Sequence, residues 1–283
     1  MALDLKNLSI RTVSGLVYAG LLIGAIICGP LASAILLSVF AAMAAYELEV
    51  NVLRADNPRT WNIMWLLDAI ILTFLILGCG ILNFSYIGLP VYGIGLFIRF
   101  IVQIFMNQKN PLKAISITGF EQIYIGLPMY LFVIFTGMLS SQPWIMVCAL
   151  AMIWINDTGA YLVGCLFGKH KMFPALSPKK SWEGFFGGLL FNAGFAFIIF
   201  YCFNLRSFGL ISHVTGWIYL GICISVLATL GDLFESMLKR SLGIKDFGNT
   251  IPGHGGILDR IDSLLFVLPG TLLAIYIANI IFF

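Results

Sequence analysis

Nine apolar stretches, each long enough to cross a bilayer, follow one another so closely that membrane helices are the main structure this chain can form. A helix needs about 20 mostly apolar residues to traverse the hydrocarbon layer. Polar or Gly/Pro punctuation cuts the 283 residues at 12–28, 31–50, 62–82, 85–106, 120–139, 143–165, 184–204, 215–237 and 261–282. The break at Gly29-Pro30 is tight, and the eighth segment carries Asp232 and Glu235 near its end. Hydrophobic residues make up 60% of the chain and charged residues 10%, against about 25% charged in ordinary soluble domains. No polar interval exceeds roughly a few tens of residues, too short to bury a core of its own. The expected fold is therefore all-α: a polytopic integral membrane protein of about nine transmembrane helices.

The opening "MALDLKNLSIRTVSGLVYAG" has the charged start and apolar run of a signal peptide. That run continues past "CGP" into more membrane-length sequence, so a retained first helix is the simpler reading. Cys28, Cys79, Cys148, Cys165, Cys202 and Cys223 lie in apolar runs without CxxC spacing, as small buried hydrophobes do. A net charge of +3 is too slight to imply a nucleic-acid partner, and none is expected.

Where the charges sit says more. With the N-terminus cytoplasmic, 14 of the 16 basic residues fall on the inner side, as the positive-inside rule requires. Arg206 falls on an outer loop, and Arg99 lies within the fourth segment. The C-terminus is then outside. Two inner loops, roughly 166–183 and 238–260, hold most of the polar side chains. The expected division is N-terminal transmembrane helices over 1–140 and a C-terminal transmembrane region with cytoplasmic loops over 141–283, where chemistry is to be sought. No internal repeat of the kind found in many transporters is visible.

Acidic residues at the bilayer centre cost on the order of a few kcal/mol each, so they face a polar cavity or a partner. Glu47, Glu49, Asp68 and Glu121 lie near the inner ends of their segments and read as interfacial anchors. Asp232 and Glu235 in "GDLFES" are an i, i+3 pair on one helix face, and Asp259 and Asp262 in "LDRID" repeat the spacing. Crowded carboxylates repel until a proton or a cation relieves them. Hard oxygen ligands without a Cys or His cluster point to Mg2+ bridging carboxylates to phosphates. The alternative is simple ion pairing with Lys239, Arg240 and Arg260.

Between these pairs, Lys239, Arg240, Lys245 and Arg260 are suited either to substrate phosphates or to anionic headgroups. "PGHGG" contributes Gly253, Gly255 and Gly256, which read as an ordinary turn or as backbone approaching an anion. His254 fits a phosphate contact or acid–base role as well as a turn-stabilising one. Asp246 is most simply the partner of adjacent Lys245. In the other inner loop, Lys169 and Lys171 read as anchors and His170 as a solvated position. "SPKKSWEG" adds Ser177, Ser181 and Trp182 to the paired Lys179 and Lys180. Upstream, "NDTGAY" sets Asn156 and Asp157 inside the sixth segment.

The span from Ser236 to Asp262 resembles the signature of the CDP-diacylglycerol synthases (phosphatidate cytidylyltransferases). Its serine, Lys239-Arg240, Lys245-Asp246, His254-Gly255-Gly256 and closing Asp259-Arg260-x-Asp262 stand at family spacing. "NDTGAY", "FGKHK", "SPKKSWEG" and "GDLFES" are similar to further family blocks in the same order, with Ser181 where a threonine is more usual. The resemblance covers roughly residues 150–265. It implies transfer of CMP from CTP to phosphatidate, giving CDP-diacylglycerol and pyrophosphate for phospholipid synthesis, in the cell's inner (cytoplasmic) membrane and as a homodimer. It implies catalytic roles for Asp232, Lys239, Asp246, His254 and Asp259, and a Mg2+ held by Asp232, Asp259 and Asp262. Substrate contacts would come from Lys179, Lys180, Ser181, Arg240, Lys245, Gly255, Gly256 and Arg260. Which loop takes CTP, and whether K+ joins as a second ion, stay open.

Three other readings compete: a CTP-dependent transferase acting on an ether lipid or a polyprenyl phosphate, a transporter or channel, and a purely structural membrane protein. Clustering of polar residues on one face weighs against transport.

Overall fold

Helix signals at the punctuation points decide where each segment begins. The computed structural model describes residues 5–56, 60–78, 85–106, 108–203, 213–253 and 255–282. Arg59, Cys79, Arg206 and His254 lie outside the described residues. Helix α1 covers Leu5–Cys28. Gly29, at a φ of 101°, separates it from α2 (Pro30–Val52), where Pro30 sits in the first turn and needs no amide donor. Helix α3 runs over Trp61–Gly78 and closes on a π-helical turn at Phe74–Gly78. Helix α4 covers Ser85–Phe105.

Helix α5 spans Pro111–Met138, starting nine residues before the apolar segment expected at 120–139. The reason is local: Asn110 accepts the Lys113 N–H at 3.3 Å and Pro111 takes the first turn, an N-cap followed by a proline. Lys113 also pairs with Asp56 at 2.6 Å. A π-helical turn at Gln122–Gly126 interrupts α5 directly after Glu121.

Helix α6 (Trp144–Phe167) leads into an antiparallel hairpin, β1 (Lys171–Phe173) and β2 (Ser177–Ser181), with Lys171 opposite Ser181. These two short strands are the departure from an all-α chain among the described residues. Helices α7 (Trp182–Phe203), α8 (Val214–Ser241) and α9 (Leu258–Phe282) complete the order. Six of the described helices, α2, α3 and α5 to α8, are long and apolar enough to cross a membrane. Shorter apolar helices run over Thr12–Cys28 and Leu89–Phe105. Large side chains such as Phe97, Ile104 and Leu190 stand exposed on the helix surfaces, as lipid-facing positions do in a multi-pass membrane protein.

The chain separates into two compact units. The first is Met1–Pro143 with Leu242–Ile261, so the second inner loop belongs with the N-terminal helices. Its core includes Leu37, Leu48, Met64, Leu72, Ile76 and Phe132, all essentially inaccessible. The second is Trp144–Ser241 with Asp262–Phe283. There α6 and α7 approach so closely that a Cβ on Gly187 would lie 2.5 Å from that of Val163, the small-residue contact typical of membrane helices. Buried Asn192 ties α7 to α8 by donating to Ser225 Oγ at 2.7 Å and to the Gly221 carbonyl at 3.3 Å.

Candidate active site

In the second unit, Asp232 and Glu235 lie one turn apart on α8, and Asp262 begins that unit's share of α9. Oxygens of the three carboxylates lie within 4.8 Å of one another. The approach depends on Gly231, where an added Cβ would meet the Asp262 carbonyl at 2.8 Å and Ser263 Cα at 3.1 Å. We expect Gly231→Ala to force α8 and α9 apart, costing about 1–3 kcal/mol of stability. The check is the thermal midpoint in detergent together with catalytic turnover, and both should fall.

Two cations face this cluster. Lys239 reaches Glu235 at 2.5 Å along one helix turn. Lys180, from the hairpin, reaches Asp232 at 2.6 Å and also approaches the Thr229 carbonyl at 3.4 Å. Ion pairing with Lys239 thus accounts for Glu235, whereas Asp232 finds its lysine in the other inner loop. The Arg240 Nε donates to the Leu176 carbonyl at 3.5 Å, joining the end of α8 to the hairpin turn.

A cavity of about 530 Å³ opens here, lined in part by Asn156, Asp157, Lys171, Ser177, Lys179, Lys180, Ser181 and Asp232. Lysines and carboxylates both line it, and Lys180 meets Asp232 directly, an arrangement that can hold an anion and a cation side by side. Buried Asn156 donates to Asp157 Oδ1 at 3.4 Å. Ser181 is buried and caps α7 by accepting the Gly184 N–H at 3.2 Å. His170 is exposed, as its loop position suggested, and its Nδ1 lies 2.6 Å from Glu183 Oε1.

The first unit holds Lys245, Asp246, Gly255, Gly256, Asp259 and Arg260. Gly253 and Gly255 adopt φ values of 74° and 83°, the left-handed turn geometry that glycine permits. Ile251 N–H donates to the Gly255 carbonyl at 2.8 Å and closes the loop. Asp259 Oδ2 accepts the amides of Phe247 and Gly256, each at 2.9 Å. The Gly256 amide is therefore directed at Asp259, and the positive φ of Gly253 and Gly255 shapes the turn.

Glu47 is the residue that sequence reasoning missed. Instead of anchoring at an interface it is 2% exposed and clasps this loop from α2. Its Oε1 accepts from Thr250 Oγ1 at 2.5 Å and from Ile257 N–H at 2.9 Å, and its Oε2 accepts from Leu258 N–H at 2.9 Å. It satisfies amides at the start of α9 that have no partner within the helix. Acid in an apolar segment was the available signal, and the four-residue step to Asn51, which donates to the Phe247 carbonyl at 2.8 Å, was the second.

Comparison with known proteins decides the lineage. The family model described as "Cytidylyltransferase family" matches residues 9–278, nearly the whole chain. The chain belongs to the cytidylyltransferase family. Curated relatives named phosphatidate cytidylyltransferase share 47% identity over 125 residues in Staphylococcus aureus (strain COL), 46% over 123 in Staphylococcus epidermidis (strain ATCC 12228 / FDA PCI 1200) and 48% over 123 in Staphylococcus haemolyticus (strain JCSC1435). Each match covers 43% of this cytidylyltransferase-family chain and 45% of the relative, so the chain spans a little under half the length of the relatives it matches.

Proposed function

We propose that this chain is a phosphatidate cytidylyltransferase: a phosphatidate oxygen attacks the α-phosphorus of CTP, forming CDP-diacylglycerol and releasing pyrophosphate. The observation that carries this reading is the cavity in which Lys179 and Lys180 stand beside Asp232, in a chain of this family. Both reactants are anionic. Charge neutralisation and alignment, with no covalent enzyme intermediate, meet the needs of such a transfer.

Asp232 and Asp262, with Glu235 beside them, are a hard-oxygen set compact enough for a Mg2+ that keeps part of its water shell. When bound, that ion would supply charge stabilisation at the triphosphate and the departing pyrophosphate. Lys180 and Lys239 hold Asp232 and Glu235 in position and would donate to phosphate oxygens once substrate is bound. Lys179, on the cavity wall, receives the second anion. By family resemblance we assign Lys245, Asp246, His254 and Arg260 to substrate phosphates. Asp259 secures Gly256 and, by family resemblance alone, is the first acid of the Asp-Arg-x-Asp motif.

The distribution of basic residues supports nine crossings with the N-terminus cytoplasmic. CTP then arrives from the cytoplasm and phosphatidate laterally from the inner leaflet, in the cytoplasmic membrane. The family resemblance supports a homodimer.

Replacing Lys179 and Lys180 together with alanine should raise the KM for an anionic substrate by on the order of tenfold per lysine, since each charge-assisted bond contributes about 1.5–3 kcal/mol. Steady-state kinetics with each substrate varied in turn checks this and shows which substrate the hairpin takes. The substrate class is tested by offering purified protein CTP with phosphatidate, an ether-lipid phosphate or a polyprenyl phosphate. Phosphatidate should be turned over fastest; preference for either of the others would overturn the assignment.

A further inference from the structure

A second acidic cluster lies in the first unit, apart from every residue assigned above. Glu49 on α2, Asp68 on α3 and Glu121 on α5 are each wholly inaccessible, and their carboxylate oxygens converge within 4.8 Å of one another. They were expected to be independent interfacial anchors, and the fold instead draws them together from three helices.

Their charges do not balance. Arg99, 1% exposed on α4, is committed to Asp68: Nε donates to Oδ1 at 2.9 Å and a terminal nitrogen to Oδ2 at 3.2 Å. Its other terminal nitrogen donates to Gln103 Oε1 at 2.7 Å. Thr118 Oγ1 donates to Asp68 Oδ2 at 2.8 Å, so that Oδ1, with one bond, keeps a lone pair for a further ligand. Both oxygens of Glu49 and both of Glu121 are buried without a hydrogen-bond donor. Among the described residues, two carboxylates thus face one point with four oxygens that have no hydrogen bond and no ion pair of their own, an arrangement that membrane burial makes expensive. The π-helical turn that starts at Gln122 reshapes α5 directly beside Glu121, a feature frequent at functional sites.

We propose that Glu49, Asp68 and Glu121 form a second, membrane-embedded site for a hard divalent cation. The charge matches, because one divalent ion neutralises what Arg99 leaves over. The donors match as well, being oxygens alone. Their spread also suits an ion with ligands at about 2.3–2.6 Å, whose opposite ligands stand about 5 Å apart, such as Ca2+. The contacts joining α2, α3, α4 and α5 assign the ion a structural role in the first unit.

The test uses full-length protein in detergent, stripped with chelator, equilibrated with Mn2+ or Ca2+, desalted and measured for bound metal by mass spectrometry. An Asp232→Asn/Asp262→Asn variant, impaired in the proposed nucleotide site, should retain one equivalent and gain thermal stability from the ion. Adding Glu49→Gln and Glu121→Gln to that variant should remove both the equivalent and the gain. Retention of no metal by the Asp232→Asn/Asp262→Asn protein would overturn the proposal and leave protons as the neutralising charge. Metal content unchanged by the two glutamine substitutions would overturn it too. The first of these outcomes does not depend on the quadruple variant folding.

Discussion

Asp262→Asn is expected to reduce CTP- and phosphatidate-dependent pyrophosphate release by on the order of 100-fold or more, while the protein still folds. The substitution keeps the side chain's size and one oxygen able to accept the Ser263 N–H, which Asp262 Oδ1 now accepts at 2.7 Å. What it removes is one of three carboxylates gathered within 4.8 Å. Metal-assisted charge stabilisation contributes several kcal/mol to such transfers, and about 2.7 kcal/mol corresponds to 100-fold in rate. The Mg2+ concentration for half-maximal activity should rise in parallel. Unchanged turnover, with an unchanged Mg2+ titration, would sink the metal assignment at this cluster.

Glu47→Ala is expected to have the largest effect on stability. Three donors, the Thr250 hydroxyl and the Ile257 and Leu258 amides, lose their acceptor at once. Each buried donor left unsatisfied costs about 1–3 kcal/mol, and donors sharing one partner do not add simply. A total of roughly several kcal/mol is comparable with the whole margin of many domains. Limited proteolysis within 242–257 should accelerate and the thermal midpoint should drop. Glu47→Gln, which keeps one acceptor oxygen, should fall between wild type and alanine. Gly256 gives a steric counterpart, because a Cβ there would stand 2.3 Å from Glu47 Oε2. Wild-type proteolysis and melting of Glu47→Ala would show that the clasp is dispensable.

Local signals carried much of this structure. Apolar length located the helices, and Gly29-Pro30 marked a real break because the proline needs no donor there. The Asp232–Glu235 spacing placed two carboxylates on one face, since helix geometry fixes i, i+3 neighbours. The pairing of Lys179 and Lys180 with Ser177, Ser181 and Trp182 marked the hairpin, and the fold brings Lys180 to Asp232 across 52 positions of sequence. Contacts between distant helices were not legible. Nothing near Glu47 indicates that its carboxylate meets amides more than 200 residues later, and nothing near Glu49, Asp68 or Glu121 indicates that the three converge. The hairpin escaped because "KMFPALSPKKS" offers three- and five-residue strands, too short for a period to emerge. The early start of α5 is legible in "NPLK", where Asn110 caps and Pro111 takes the first turn, but this turn precedes the apolar run and so lies outside what hydropathy marks.

Incubating the purified full-length protein with Mg2+, phosphatidate and CTP labelled at either the α- or the γ-phosphorus tests the proposed reaction most directly. Label from the α position should appear in a lipid-soluble product that co-migrates with CDP-diacylglycerol, and label from the γ position in pyrophosphate. Release of the γ label as orthophosphate, or no transfer of α label to lipid in protein shown to be folded, would contradict cytidylyl transfer to phosphatidate.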